Sequence, residues 1–252
     1  MSAQVHATAV VAEGARLGRD ITVGAFAIVG PDVELGDGTV LHPHAIVEGP
    51  TVLGAGNVVH SFAVVGGAPQ QKNRDDRRAT LRIGDRNVIR EHATLHRGTE
   101  GGGTRIGDDN LFMVASHVAH DTLVGSHVTL ANGTQLAGHT VVEDHATFGG
   151  LSGVAQFVRV GESAFVAAGA MCERDVPPFV IVQGDRAKVR ALNVVGLRRR
   201  GVPEPSIEAL LAAFRVLFLG SGTRAEAMVR VERADPYVAR LLEALERSRT
   251  TR

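Results

Sequence analysis

The run Ser116-His117-Val118-Ala119-His120-Asp121 places two imidazoles and a carboxylate within six residues. An imidazole takes up and returns a proton near neutral pH, which no other unperturbed side chain does. His120 therefore has the character of a general base. Asp121 beside it can orient the ring or balance the charge that forms on it. A second imidazole, His139, follows Gly138 in the run Leu136-Ala137-Gly138-His139. Whether these groups meet depends on the elements that carry them.

Those elements repeat every six residues. An apolar side chain returns at Ile106, Phe112, Val118, Val124, Leu130, Leu136, Val142, Phe148, Val154, Val160, Val166 and Cys172, twelve times without a slip. The same spacing runs from Val5 to Val65 and reappears at Ile83, Ile89 and Leu95. A fixed short period of this kind marks a solenoid. It fits neither a helix nor plain strand alternation. Short strands joined at corners, three to an eighteen-residue coil, satisfy it, with the aliphatic row facing inward. Stacked coils then pair at the ordinary strand spacing. Residues eighteen apart form columns, so His120 aligns with Gly138 and Gln156, and Asp121 with His139. Gly138 has no side chain, which leaves room beside His120 and an approachable backbone N–H.

Two interruptions, near 66–82 and 96–105, are polar or Gly-rich and are expected as loops outside the coil. They are either plain surface insertions or lids held by a rigid scaffold. Asp175-Val176-Pro177-Pro178 stops the repeat. The chain thus divides into a solenoid over 1–180 and a helical domain over 181–252. Helices are expected at Ala187–Arg200, Pro205–Leu219, Arg224–Val231 and Pro236–Arg247. Arg198-Arg199-Arg200 either balances a helix C-terminus or offers guanidinium forks to phosphates.

Composition narrows the function classes. Basic and acidic residues number 27 each, which argues against charge-driven nucleic-acid binding. One cysteine, Cys172, excludes an internal disulfide framework and fits a reducing compartment. It falls on the apolar row, as a packed thiol would. No window suits a signal peptide or a membrane span. His6, His42, His44, His60 and His127 are expected to be solvated, and His145 to be structural or exposed.

Several segments together resemble one family. These are Ile83-Gly84-Asp85-Arg86-Asn87, His96-Arg97-Gly98-Thr99, Ile106-Gly107-Asp108-Asp109-Asn110-Leu111, Val118-Ala119-His120-Asp121, Leu136-Ala137-Gly138-His139, Asp175-Val176-Pro177-Pro178 and Gly196-Leu197-Arg198-Arg199-Arg200-Gly201. The chain is similar to the UDP-N-acetylglucosamine O-acyltransferases of lipid A synthesis, from about Val5 to Gly201 and more loosely beyond. The related N-acyltransferases carry a domain before their repeats, whereas repeats here begin at residue 5.

The resemblance implies a mainly β fold, a left-handed parallel β-helix with a C-terminal α-helical domain. The handedness comes from the resemblance alone. It implies transfer of a 3-hydroxyacyl chain from acyl carrier protein to the 3-position of a UDP-N-acetylglucosamine-type sugar, in the cytoplasm. It also implies a homotrimer with sites between subunits, no metal and no tightly bound cofactor, since phosphopantetheine arrives on the carrier protein.

Residue by residue, it makes His120 the base and gives Gly138 the oxyanion. His117, His139 and Gln156 line the cleft, and Gln71 and Asn73 fall at substrate-binding positions. Asn193, Arg199 and Arg200 hold the nucleotide and its diphosphate. Phe165 and Ala168 match the acyl-chain ruler, where their bulk implies a medium-length chain. The chain departs from the family at Ala155, where a histidine is common, at Gln71 and Asn73, and at Val195. These departures leave N-acylation of a 3-amino-3-deoxy analogue as an alternative. Two remoter alternatives are a trimeric zinc hydratase, needing three imidazoles and an open position, and a solenoid that only binds.

Overall fold

The computed structural model describes residues 3–71, 79–99 and 103–250. Short strands form three sheets of 11, 9 and 8 strands. Within the coil each strand pairs in parallel with the strand three places on: Gln4–Val5 with Thr22–Val23, and His117–Val118 with Gln135–Leu136. The column spacing is eighteen, as in Val118 opposite Leu136 and Leu136 opposite Val154. Across the first interruption Val58 faces Val88, and across the second Val88 faces Leu111. The insertions lengthen single coils without disturbing the stack.

The aliphatic row fills the prism. Val29, Leu41, Val59, Ile89, Phe112, Val118, Leu130, Leu136 and Val166 are fully buried. Each such side chain is worth about 1.5–3 kcal/mol gross relative to exposure. The first coil is stacked on one side alone, and Val5 is 44% exposed.

The corners turn through left-handed backbone. From Asp109 to Gly169 every sixth residue has φ between 52° and 71°, including Asp121 at 57° and His139 at 60°. Non-glycine residues pay steric strain there. Because every corner does so, this conformation at Asp121 belongs to the fold and is no signature of catalysis. Corner side chains stack along the prism: Phe26, His44, Phe62 and His92 form one ladder, and His127 lies over His145. His42 likewise stacks on His60. Of the histidines expected to be solvated, His6, His44 and His127 are exposed, and His44 and His127 also stack on corner rings, while His42 and His60 are partly buried against each other.

Asn57, Asn87 and Asn110 form a buried ladder, each side-chain oxygen accepting from the backbone N–H of the next coil at 2.7–3.0 Å. Asp85 and Asp108 accept the N–H groups of Ala55 and Asp85. The two Ile-Gly-Asp segments therefore hold coils together across the insertions.

The C-terminal portion differs from expectation at its start. Val180–Gln183 continues the largest sheet in parallel with Phe165–Val166, and Lys188–Leu192 returns antiparallel to it. Sheet structure thus extends beyond residue 180, and the helix expected over Ala187–Arg200 is confined to Val194–Arg200, here α1. Val189 packs on the core and Leu192 is buried under it, so the strand outcompetes local helix propensity. The Asn193 side chain caps α1 by accepting the Gly196 N–H, and Gly201 ends it with φ 83°. Helix α2 spans Glu204–Phe214 and widens into a π turn over Arg215–Leu219; α3 spans Arg224–Val229 and α4 Pro236–Thr250. Ile207, Leu210, Leu241, Leu242 and Leu245 form their common core. Tyr237 of α4 meets the buried ring of Phe179 edge-on at 5.7 Å, which seats the helices on the end of the coil.

Candidate active site

His120 sits just past the strand His117–Val118, at the corner that Asp121 turns, and is 4% exposed. Its Nδ1 lies 2.9 Å from Asp121 Oδ2, and its Nε2 lies 3.0 Å from the Gln71 side-chain nitrogen. A carboxylate can only accept and an amide nitrogen can only donate. The pattern therefore assigns the ring proton to Nδ1 and leaves the Nε2 lone pair outward, where a substrate proton would be taken.

Asp121 is itself held. It accepts the Thr99 N–H at 2.9 Å and the Thr99 hydroxyl at 2.8 Å, while its own N–H donates to Thr104 Oγ1 at 2.9 Å. Burial acts to raise its pKa, but the bonds from Thr99 and His120 outweigh that and keep the carboxyl below its usual range. A charged Asp121 then stabilises an imidazolium on His120.

Gly138 lies in the next coil against the face of the His120 ring. A Cβ there would stand 2.5 Å from His120 Cε1 and 2.7 Å from Nε2. No side chain fits that gap. The Gly138 N–H has no hydrogen-bond partner among the described residues, so it is available to a developing oxyanion. His139 meets His120 edge-on at 5.2 Å, lies 3.8 Å from Asp121 Oδ2 and stacks on Phe157 at 4.7 Å.

His117 donates to or accepts from Thr94 Oγ1 at 2.7 Å, and His96 packs edge-on against it at 4.9 Å. Burial lowers the pKa of His117, the charge of His120 adding to it. Burial, with His117, His120 and Arg97, pushes His96 down to about 4. Both rings are neutral at pH 7, which limits positive charge beside His120.

A groove of about 490 Å³ opens beside these groups, lined by Gln70, His117, His120, Gly138, Ala155 and Gln156 among others. Of the residues singled out in sequence, it gathers His117, His120, Gly138 and Gln156, with Gln71, Asp121 and His139 in contact with His120. Cys172 lines its floor, where burial raises the thiol to about 11. That thiol stays protonated and packs, as expected. Asn73 lies outside the described residues.

Asn193, Phe165, Arg199 and Arg200 form a separate cavity of about 480 Å³ on the largest sheet, with His127, His145 and Ser163. The groove of His120 lies on the nine-stranded sheet instead. Asn193 also carries a structural duty, capping α1 and donating to the Ser163 carbonyl at 3.0 Å. Ala168 is exposed at a corner and borders neither cavity.

Sequence reasoning missed Thr99, Thr104, His96 and Phe157. The first three lie in or beside the second interruption, which breaks the column count. The His96-Arg97-Gly98-Thr99 segment was the one signal for His96 and Thr99, and Thr104 had none. Phe157 is a corner ring whose stacking on His139 needed the eighteen-residue column to be followed one coil further.

Among the described residues, the three side chains whose donor atoms lie within 4.8 Å of one another are His120, Asp121 and His139. This is two imidazoles and one carboxylate, whereas a hydratase site calls for three imidazoles. The Asp121 oxygens already accept three hydrogen bonds. The donor set therefore fits a proton relay better than a metal.

Known proteins share this arrangement of coil and helices. A family model described as UDP N-acetylglucosamine O-acyltransferase, domain 2, matches residues 175–252. An acyl-[acyl-carrier-protein]–UDP-N-acetylglucosamine O-acyltransferase of Stenotrophomonas maltophilia is 48% identical over 231 residues, covering 90% of this chain and 88% of that protein. Its namesake in Burkholderia mallei is 45% identical over 168 residues, covering 66% of this chain; the match spans 64% of that relative's length. The UDP-N-acetylglucosamine O-acyltransferase structure from Moraxella catarrhalis superposes with a TM-score of 0.91 at 36% identity, covering 97% of each chain. The expected mainly parallel, left-handed β-helix with a C-terminal helical region is thereby established. Among the described residues, no helix is long and apolar enough to cross a membrane.

Proposed function

The chain belongs to the UDP-N-acetylglucosamine O-acyltransferase family, and we propose that it moves a 3-hydroxyacyl chain from acyl carrier protein to the 3-hydroxyl of UDP-N-acetylglucosamine. The observation that carries this is the fixed ring of His120, Nδ1–H on Asp121 and Nε2 toward the groove, with the open Gly138 amide beside it.

The sugar hydroxyl displaces the Gln71 amide at Nε2 and gives up its proton as oxygen attacks the thioester carbonyl. The carbonyl oxygen becomes an oxyanion that accepts from the Gly138 N–H. Asp121 stabilises the imidazolium meanwhile. Collapse breaks the carbon–sulfur bond, and the imidazolium returns the proton to the departing thiolate of the carrier's phosphopantetheine. The balance needs no metal, oxidant or resident cofactor.

Two observations support the partners. A cavity of about 610 Å³ behind Phe157 is lined by Arg159, Arg174, Lys188, Arg224 and Arg247, and suits an acidic carrier protein. Arg199 and Arg200 suit the nucleotide diphosphate. The cavity of these arginines lies against the largest sheet and the groove of His120 on the nine-stranded one, so a complete site calls for a second copy of the chain; a homotrimer in the cytoplasm is the assembly we propose. From the resemblance at Phe165 and Ala168 we propose a medium-length acyl chain; within one chain Phe165 lines the Arg199–Arg200 cavity and Ala168 borders neither cavity.

A second acceptor follows from the departures from the family pattern at Gln71 and Asn73, and the 3-amino-3-deoxy sugar nucleotide is the alternative substrate. Incubation of purified protein with both sugar nucleotides and a panel of acyl-carrier thioesters, read by mass spectrometry, tests the proposal. An O-acylated product supports it; a product from the amino sugar alone gives the alternative; none from either rejects both.

A further inference from the structure

Arg200 is held by a charge network that α4 completes. It pairs with Glu162, which lies in the corner between Val160 and Phe165 and is 9% exposed at its side chain. The other oxygen of Glu162 pairs with Arg240 of α4. The Glu162 N–H donates to Glu143 Oε2 at 3.1 Å. Glu143, 13% exposed, accepts from Arg159 at 3.0 Å and reaches Arg247 at 3.4 Å and Arg240 at 3.5 Å. Four guanidiniums thus surround two nearly buried carboxylates. Arg200 also donates to Ser163 Oγ at 3.0 Å, which directs its fork along the wall of the cavity it shares with Arg199.

The balance of charge matters here. Were Glu162 paired with Arg200 alone, the pair would be neutral and would attract a phosphate weakly. Because Arg240 shares the same carboxylate, the trio keeps one positive charge. The geometry of Arg200 is fixed by Glu162, and its net charge by a residue forty positions away on another element.

We infer that Glu162 is a positioning residue that aims Arg200 at the diphosphate of the sugar nucleotide, and that Arg240 on α4 keeps that arginine electropositive. Docking of the helical region is thereby coupled to nucleotide affinity. The inference rests on the proposed assignment of the Arg199–Arg200 cavity to the nucleotide.

The test uses the full chain, UDP alone as the titrated probe, and steady-state kinetics. Glu162→Gln and Arg240→Gln should each weaken UDP binding and raise the sugar-nucleotide KM by about tenfold, with kcat and the acyl-donor KM within about twofold. Arg240→Lys should restore most of the affinity, because it returns the charge. A clamp that only held the helices would lower thermal stability in all these variants and leave UDP affinity unchanged, which overturns the inference. Arg240→Gln carries the test if Glu162→Gln does not fold. Arg200→Gln separates the two levels. If it weakens UDP while the Glu162 and Arg240 variants do not, the inference alone fails. If it too leaves UDP binding intact, the assignment of the cavity fails with it.

Discussion

Asp121 Oδ2 stands 2.9 Å from Nδ1 of His120, and the same carboxylate takes two further bonds from Thr99. The aspartate is thus fixed from one side and fixes the imidazole on the other. His120→Ala removes the proposed base and should lower kcat by about 10²–10⁴. Asp121→Asn keeps the shape but offers an amide that favours the other tautomer, which would put a proton on Nε2. It should lower kcat by about a hundredfold or more with little change in the sugar-nucleotide KM. Steady-state rates across pH check both; unchanged kcat in Asp121→Asn would remove Asp121 from the relay.

Gly138 is defined by what cannot be there. A methyl group would lie 2.5–3.1 Å from three atoms of the His120 ring. Gly138→Ala should therefore displace that ring and crowd the proposed oxyanion position, lowering kcat by about a hundredfold or more. Gly138 is buried, and overpacking of this kind should cost about 1–3 kcal/mol of stability. A crystal structure of the variant with His120 unmoved and full activity would refute this. Gly98→Ala makes the parallel case for Asp121, since its Cβ would stand 2.6 Å from Oδ1.

Much of this was legible in the sequence because the solenoid repeats. A six-residue period names the buried row, and an eighteen-residue column puts Gly138 next to His120 before any coordinate is known. The column fails where the coil is interrupted. Thr99 and Thr104 reach Asp121 from across an insertion, at separations of 22 and 17, so no count from the period finds them. The Asn57–Asn87–Asn110 ladder was hidden for the same reason, since its members straddle both insertions. The strand Lys188–Leu192 was misread as helix because its residues suit either state locally and only pairing with Val180–Gln183 decides. Nothing in the spacing told that Phe165 and Arg200 would share a cavity apart from His120; that depends on which sheet each strand joins.

Separation of the two cavities makes a prediction about assembly. If His120 of one copy works with Arg199 of another, subunits defective in each can complement. His120→Ala and Arg199→Ala proteins should each be nearly inactive alone. Co-expressed and assembled at random in a closed ring, they leave about a quarter of the sites with both halves intact. Activity near that fraction in doubly tagged, purified oligomers supports a shared site. Activity no greater than that of the two singles would place both halves within one chain.

The neutral histidines beside His120 should make stability depend on pH. In the unfolded chain the His96 ring titrates near 6.5, whereas in the fold burial holds it at about 4. A base whose folded pKa is depressed binds fewer protons folded than unfolded between those values. Stability is therefore fully present above about pH 6.5 and falls as pH drops toward 4. A shift of this size corresponds to a loss of about 3 kcal/mol at the acid end. His117 is shifted in the same direction and adds to it. Urea unfolding should show the midpoint falling between pH 7 and 5 in the wild type. His96→Asn cannot titrate, so its midpoint should fall less over the same interval. An equal fall in both proteins would show that acid acts elsewhere, and that burial of the His96 ring carries no share of the pH dependence.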